Sequence, residues 1–314
     1  MDEYYDPINK HKIRRWTLML PGAGCSWSKQ SGGCTMCGFS NSTKKYSKGK
    51  ILPTVFHLFL FKMAYKLIKT SKPNILSIYV GGNFLNSNEI SLKTQLRIFK
   101  NISKINFIER VFIESRPEFI NEKNLIPLLN ILKNKKIEIG IGLECQSDEI
   151  RLKNIHKGFT KKDFEESIEI LKKLKIYVLT YIFLKPLFLS EKDSIKETID
   201  SIKYANDIGV DEIVVEAALI QENTPMYKKY LGGNFNPPWL WSLLEVAKNT
   251  QLYKNVRFGK LSDEPTPIAI PRNCEICSEH IYELFEEYNL NPDITVFNDL
   301  KCSCKKKWEK EVLK

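Results

Sequence analysis

Residues 25 to 39 read CSWSKQSGGCTMCGF, and they set Cys25, Cys34 and Cys37 in a stretch that also carries Gly32 and Gly33. Glycine lets a backbone curl tightly around a bulky ligand. A chain of 314 residues buries a substantial core without covalent cross-links. Closely spaced cysteines therefore read as metal ligands rather than disulfide partners. Four thiolates would saturate a cubane iron–sulfur cluster, whereas three leave one iron open to a further ligand. A three-cysteine zinc site is the competing reading, but it lacks a nearby histidine, since His11 and His57 are far off in sequence.

Around this loop the chain alternates between two periodicities. Short β-branched or aromatic runs recur at Trp16–Leu20, Ile75–Val80, Arg110–Glu114, Ile137–Leu143, Ile176–Phe183 and Glu212–Glu216. Between them lie helical patterns, such as Thr160–Leu174 with a stripe of Phe164, Ile168, Leu171 and Leu174. Ser190–Ile208 repeats the pattern with Ile195, Ile199, Ile202 and Ala205, and Thr160/Asp163 and Ser190/Asp193 have capping-box spacing. Continuous apolar strands in βα alternation predict a parallel sheet covered on both faces, wound with right-handed crossovers. The expected fold is α/β, a partial parallel (βα)6 barrel with its chemistry at the C-terminal strand ends. The alternation fails after about Thr250, which predicts a core domain over 1–250 and a Cys-rich lobe over 251–314.

Hydrophobic residues at 43% and charged residues at 27% describe an ordinary folded chain. The net charge of +11 suits a polyanionic partner such as RNA. Only eight of the 48 basic residues are Arg, however, and runs such as Lys135-Lys136 and Lys305-Lys306-Lys307 read equally well as solvated faces. The apolar stretch from Ile51 to Ile68 is broken by Pro53, His57, Lys62 and Lys66, so it is no bilayer span. The polar start MDEYYDPINK has no apolar signal region, and the expected location is the cytoplasm, away from membranes.

The cysteine spacing resembles the elongator-like branch of the radical S-adenosylmethionine (SAM) superfamily. There SAM chelates the open iron through its amino and carboxylate groups, and an electron from the cluster cleaves it to a 5′-deoxyadenosyl radical. Further matches follow in order. Gly81-Gly82-Asn83 stands where the superfamily has Gly-Gly-Glu, so only the two glycines carry over, toward the methionyl amine of SAM. Glu114-Ser115-Arg116-Pro117 matches a Glu-x-Arg-Pro motif. Gly142-Leu143-Glu144 stands where a Gln or Glu meets the SAM ribose, and Lys157-Gly158 fits a basic residue and glycine just beyond. By charge, Glu114 suits an ammonium, Glu144 accepts from ribose hydroxyls, and Lys157 pairs with the methionyl carboxylate. Cys145 reads as a structural thiol, and His156 receives no role.

These segments, together with LKP (residues 184–186), NPPWLWS (236–242) and the Cys-bearing tail, resemble the archaeal radical SAM family called RaSEA over nearly the whole chain. That resemblance implies a C–N lyase of archaeosine formation in the tRNA D-loop. A partner enzyme, ArcS, attaches lysine to a 7-cyano-7-deazaguanine base, and the radical enzyme then breaks the lysine C–N bond with electrons from an external donor. Alternatives are a methylthiotransferase, which would need a second cluster, an elongator-like acyl transferase, and a non-enzymatic zinc-stabilised tRNA-binding adaptor. In the tail, Cys274, Cys277, Cys302 and Cys304 make a four-thiolate set whose commonest occupant is structural zinc, with an auxiliary cluster as the rival. Lys305, Lys306, Lys307 and Trp308 are candidates for secondary RNA contact. Trp239 and Trp241 are expected to pack the lobe.

Overall fold

The computed structural model describes residues 1–261 and 265–313. Its eight strands form one sheet in simple chain order: β1 (Asp2–Asp6), β2 (His11–Met19), β3 (Ile75–Tyr79), β4 (Arg110–Glu114), β5 (Lys136–Glu144), β6 (Tyr177–Leu184), β7 (Glu212–Ala217) and β8 (Val256–Phe258). β2 to β8 run parallel, and β1 pairs antiparallel with β2. The curled, open sheet is a half-barrel, and its β2 to β7 are the six runs expected from periodicity. β1 and β8 extend beyond that expectation. β1 is polar and acidic, and it becomes a strand through a turn in which Asp6 O accepts from Lys10 N–H at 2.7 Å. β8 spans three residues and exists through its pairing with β7, so the sheet runs on past residue 250.

Side chains alternate between two cores, as period-2 geometry demands. Val111, Ile113, Ile139, Val178 and Ile213 face the outer helices, while Phe112, Leu179 and Val214 join Tyr4, Ile13 and Ile75 inside the curl. Below that inner layer lie Arg15, Arg110, Arg257, Asp6, Glu138 and Glu212, three charges of each sign. Arg110 meets Asp6 at 2.7 Å, Arg15 meets Glu138 at 3.4 Å, and Arg257 pairs with Glu212. Such buried charges persist only when paired. They fill the N-terminal end of the curl and leave function to the opposite rim. Thr160 and Asp163 form the expected capping box at the start of helix Lys161–Lys173, and Ser190 caps helix Glu191–Asp207.

The tail helix Ser278–Leu290 packs on the end of the sheet through an aromatic cluster. Phe258 of β8 lies 4.9 Å from Phe285 and 5.7 Å from Tyr288 between ring centroids, and Phe285 lies 4.9 Å from Phe297. Among the described residues, no helix is long and apolar enough to cross a membrane.

Candidate functional site

The three-cysteine loop sits at the C-terminal rim. Cys25 stands at the N-terminus of a short helix, Ser26–Ser31, and Gly32 and Gly33 turn the chain with φ of +86° and +83°. Two flanking segments clamp the loop. On one side, Thr35 N–H donates to Ile155 O at 2.9 Å and its hydroxyl to Asn154 O at 2.8 Å. There too the His156 ring donates through Nδ1 to Gly33 O at 2.8 Å, and Trp27 Nε1–H donates to His156 O at 2.8 Å. On the other side, Met226 N–H donates to Thr35 O at 3.0 Å, and Gly38 N–H donates to Gln221 Oε1 at 2.8 Å. His156 and Gln221 are therefore positioning residues that no local motif announced.

All three cysteines keep some accessible surface. Crowding around the sulfurs nonetheless desolvates two of them, raising the Cys34 thiol and pushing Cys37 up to about 12. Such thiols become thiolates at neutral pH only when a cation displaces the proton. Among the described residues, the tail quartet is the one set of three or more ligand atoms lying within 4.8 Å of one another. The rim trio is more widely set, as ligands of separate irons in one cubane have to be. Three half-buried cysteines on a glycine-curled loop fit such a cluster.

The strand-end residues gather around this loop. After β3, a Cβ on Gly82 would lie 2.0 Å from Glu89 Oε2 and 3.1 Å from Cys25 Cα, so only glycine fits beneath the cysteine loop. Asn83 Oδ1 accepts from Arg116 N–H at 2.9 Å. The Arg116 guanidinium donates to Lys157 O at 2.7 Å and stacks 5.1 Å from the Trp27 ring. Arg116 thus ties the end of β4 to the segment after His156 and to the cysteine loop itself. Glu114 ends β4 beside Tyr181 and Tyr79, whose hydroxyls are 3.4 Å apart. Burial first, and the Glu114 charge second, hold both phenols above their ordinary range.

Glu144 and Lys157 form a nearly buried ion pair at 2.5 Å. Burial alone would lower the Lys157 ammonium, but Glu144 and then Cys34 outweigh it and leave it raised. A Cβ on Gly142 would strike both charged groups, which accounts for the glycine. Glu144 has φ +66°, beside a register shift in β5 that turns its carboxylate to the rim. Gly158 has φ +74°, and a Cβ there would lie 2.3 Å from the Trp27 ring. Gly158→Ala is expected to cost about 2–6 kcal/mol in a denaturant titration, since left-handed strain and overpacking each cost about 1–3 kcal/mol. A loss under half that range would mean that the ring simply moves aside.

In the tail, Cys274 Sγ lies 3.6 Å from Cys277 Sγ and 3.5 Å from Cys302 Sγ, and Cys277 Sγ lies 3.6 Å from Cys304 Sγ. Tetrahedral thiolates about 2.3 Å from one ion stand roughly 3.8 Å apart, so the quartet fits a single ion. Trp241 Nε1–H donates to Cys304 Sγ at 3.2 Å, and Trp308 Nε1–H donates to Ser242 Oγ at 2.8 Å. Trp241 packs the lobe as expected. Trp308 is buried at 7% exposure, so it cannot stack on a base, and of that basic run Lys306 and Lys307 are the exposed residues. Cys145 is buried, its thiol donating to Ser147 O at 3.5 Å.

No family model matches the chain. It is similar to archaeosine synthase subunit beta of Methanosarcina acetivorans, 31% identical over 97% of this chain and 87% of that one. The same-named protein of Thermococcus kodakarensis is 29% identical over 93% of this chain and 90% of that one. Among solved structures, Elp3 of Methanocaldococcus infernus aligns over 89% of this chain and 64% of that chain, with a TM-score of 0.57 and 15% identity. SuiB of Streptococcus suis aligns over 93% and 54%, with a TM-score of 0.54 and 12% identity. The fold of the elongator-like radical SAM proteins is therefore present, as the motif order implied. The first of these relatives, matched along nearly the whole length, decides the family: the chain belongs to the archaeosine synthase subunit beta family.

Proposed function

We propose that this protein is a radical SAM enzyme of tRNA modification, cleaving the lysine C–N bond of a lysine-adducted 7-deazaguanine to leave archaeosine in the D-loop. The observation that carries it is the rim itself, where Cys25 lies over Gly82 and Cys34, on the same loop as Cys37, lies beside Glu144 and Lys157, in a chain of this family. When bound there, a [4Fe–4S] cluster and SAM together supply a carbon radical able to take hydrogen from an unactivated C–H bond. The chain's own residues hold and orient. Cys25, Cys34 and Cys37 would ligate three irons, and the Gly81-Gly82 turn would present its backbone to the methionyl amine. Glu114 would face an ammonium, Lys157 the methionyl carboxylate, and Glu144 the ribose hydroxyls. Glu144 and Lys157 also satisfy each other, which keeps two desolvated charges paired.

Cys274, Cys277, Cys302 and Cys304 would hold zinc as a structural staple. The partner subunit would be ArcS, with the reaction running in the cytoplasm on electrons from an external donor. The target base is stacked inside folded RNA, and exposing it costs a few kcal/mol. Phosphate contacts from the +11 chain would offset that cost, so tRNA binding should weaken steeply with added salt. The test is anaerobic incubation with SAM, a reductant and lysine-adducted tRNA, followed by nucleoside mass analysis. Archaeosine should appear together with 5′-deoxyadenosine. SAM cleavage with unchanged tRNA, even with ArcS present, would defeat the archaeosine reading and leave the radical SAM reading standing.

A further inference from the structure

The turn after β3 reads Gly81-Gly82-Asn83, with an amide where the superfamily motif has a carboxylate. A carboxylate nevertheless lies at this turn. Glu89, six residues on and 1% exposed, places Oε2 2.5 Å from Asn83 N–H. Its Oε1 accepts from Asn83 Nδ2 at 2.7 Å, Asn86 Nδ2 at 2.9 Å and Ser26 N–H at 2.9 Å. Its carbonyl accepts from Ala23 N–H at 2.8 Å. Glu89 therefore grips the chain on both sides of Cys25, at residues 23 and 26. Asn86 reinforces the grip, donating to Ser26 Oγ at 2.7 Å. Gly82 has no side chain because Glu89 and Cys25 occupy the space where its Cβ would lie.

Every donor to this carboxylate is a neutral amide, and no cation pairs with it among the described residues. A buried carboxylate is tolerated when its lone pairs are satisfied in this way. A hydrogen-bonded anion of this kind does two things to a neighbouring iron–sulfur cluster. It fixes the ligand's backbone, and it disfavours the added electron of the reduced state.

We infer that Glu89 is a positioning residue for the rim cluster, supplying from six residues further along the chain the carboxylate that Asn83 lacks and setting both the placement of Cys25 and the charge beside it. The inference rests on the reading that Cys25, Cys34 and Cys37 hold a cluster. Glu89→Gln keeps the shape, removes the charge, and turns one acceptor into a donor facing other donors. Glu89→Asp keeps the charge but is one methylene too short to span Asn83 and Ser26 together.

The experiment reconstitutes the wild-type chain and both variants anaerobically. It then measures iron release to a chelator, the midpoint potential, and the line shape of the reduced cluster's paramagnetic resonance. Glu89→Gln should release iron about 10–100-fold faster and have a higher midpoint potential. Glu89→Asp should release iron faster with little change in potential, a split that a merely structural role would not produce. If Glu89→Gln fails to fold, the Asp variant decides, and wild-type iron release in it overturns the inference. Wild-type release, potential and line shape in a folded Gln variant overturn it as well. A wild-type chain whose rim cysteines take up no iron would instead defeat the cluster reading beneath it.

Discussion

Replacing Cys25, Cys34 and Cys37 together with alanine should abolish iron–sulfur absorbance and reductive SAM cleavage while leaving the tail metal in place. The two sites are built from separate parts of the chain, one clamped by residues 154–156 and 221–226, the other seated on helix Leu240–Asn249 and β8. Removing three thiols from an accessible loop leaves the sheet and both hydrophobic cores intact, so the variant should fold. Cys34 and Cys37 are desolvated thiols that carry charge only when metallated, so their loss removes no buried charge pair. The variant should contain about one zinc and almost no iron, one ion being what a closed four-thiolate site holds. Undiminished SAM cleavage would sink the radical SAM reading. Substantial residual iron would place an auxiliary cluster in the tail and reopen the methylthiotransferase alternative.

Cys304→Ala should do the reverse, releasing the tail ion and destabilising the fold while leaving the rim cysteines able to take up iron. Cys304 is 7% exposed and accepts from Trp241, one of the largest fully buried side chains. Its removal opens the four-thiolate set, leaves a buried indole N–H without its acceptor, and loosens the aromatic cluster between β8 and helix Ser278–Leu290. Loss of a structural metal belongs to the small class of changes costing more than about 4 kcal/mol, and an unsatisfied buried donor adds about 1–3 kcal/mol. Thermal or chemical unfolding, read beside metal content, checks this. Retention of the ion with an unchanged transition would show that the quartet is not a structural site.

Legibility differed from residue to residue for identifiable reasons. β3 to β7 were readable because each is buried on both faces, as continuous β-branched runs require, whereas β2 buries only alternate residues. β1 was not, since a polar strand is made by its partner and its turn. β8 was too short to show a period. At the rim, the cysteine trio was readable because thiols at that spacing have few uses. Lys157 and Glu144 were readable singly, yet their pairing at 2.5 Å depends on the register shift in β5. Trp308 was misread as accessible because nothing in a Lys-rich run shows which face of its helix turns inward.

What the sequence by itself determined is the set of local, chemically narrow facts: three cysteines around Gly32-Gly33, four more in two close pairs, βα alternation, and glycines at the strand ends. These follow from residue type and spacing, which a linear string records. What only the tertiary structure decided is which distant groups meet. Glu89 grips Ser26 across 63 positions, His156 reaches Gly33, Gln221 reaches Gly38, and Asp6 meets Arg110. Such contacts leave no period and no motif, because a buried hydrogen bond needs a donor at the right distance and sequence separation does not enter its energy.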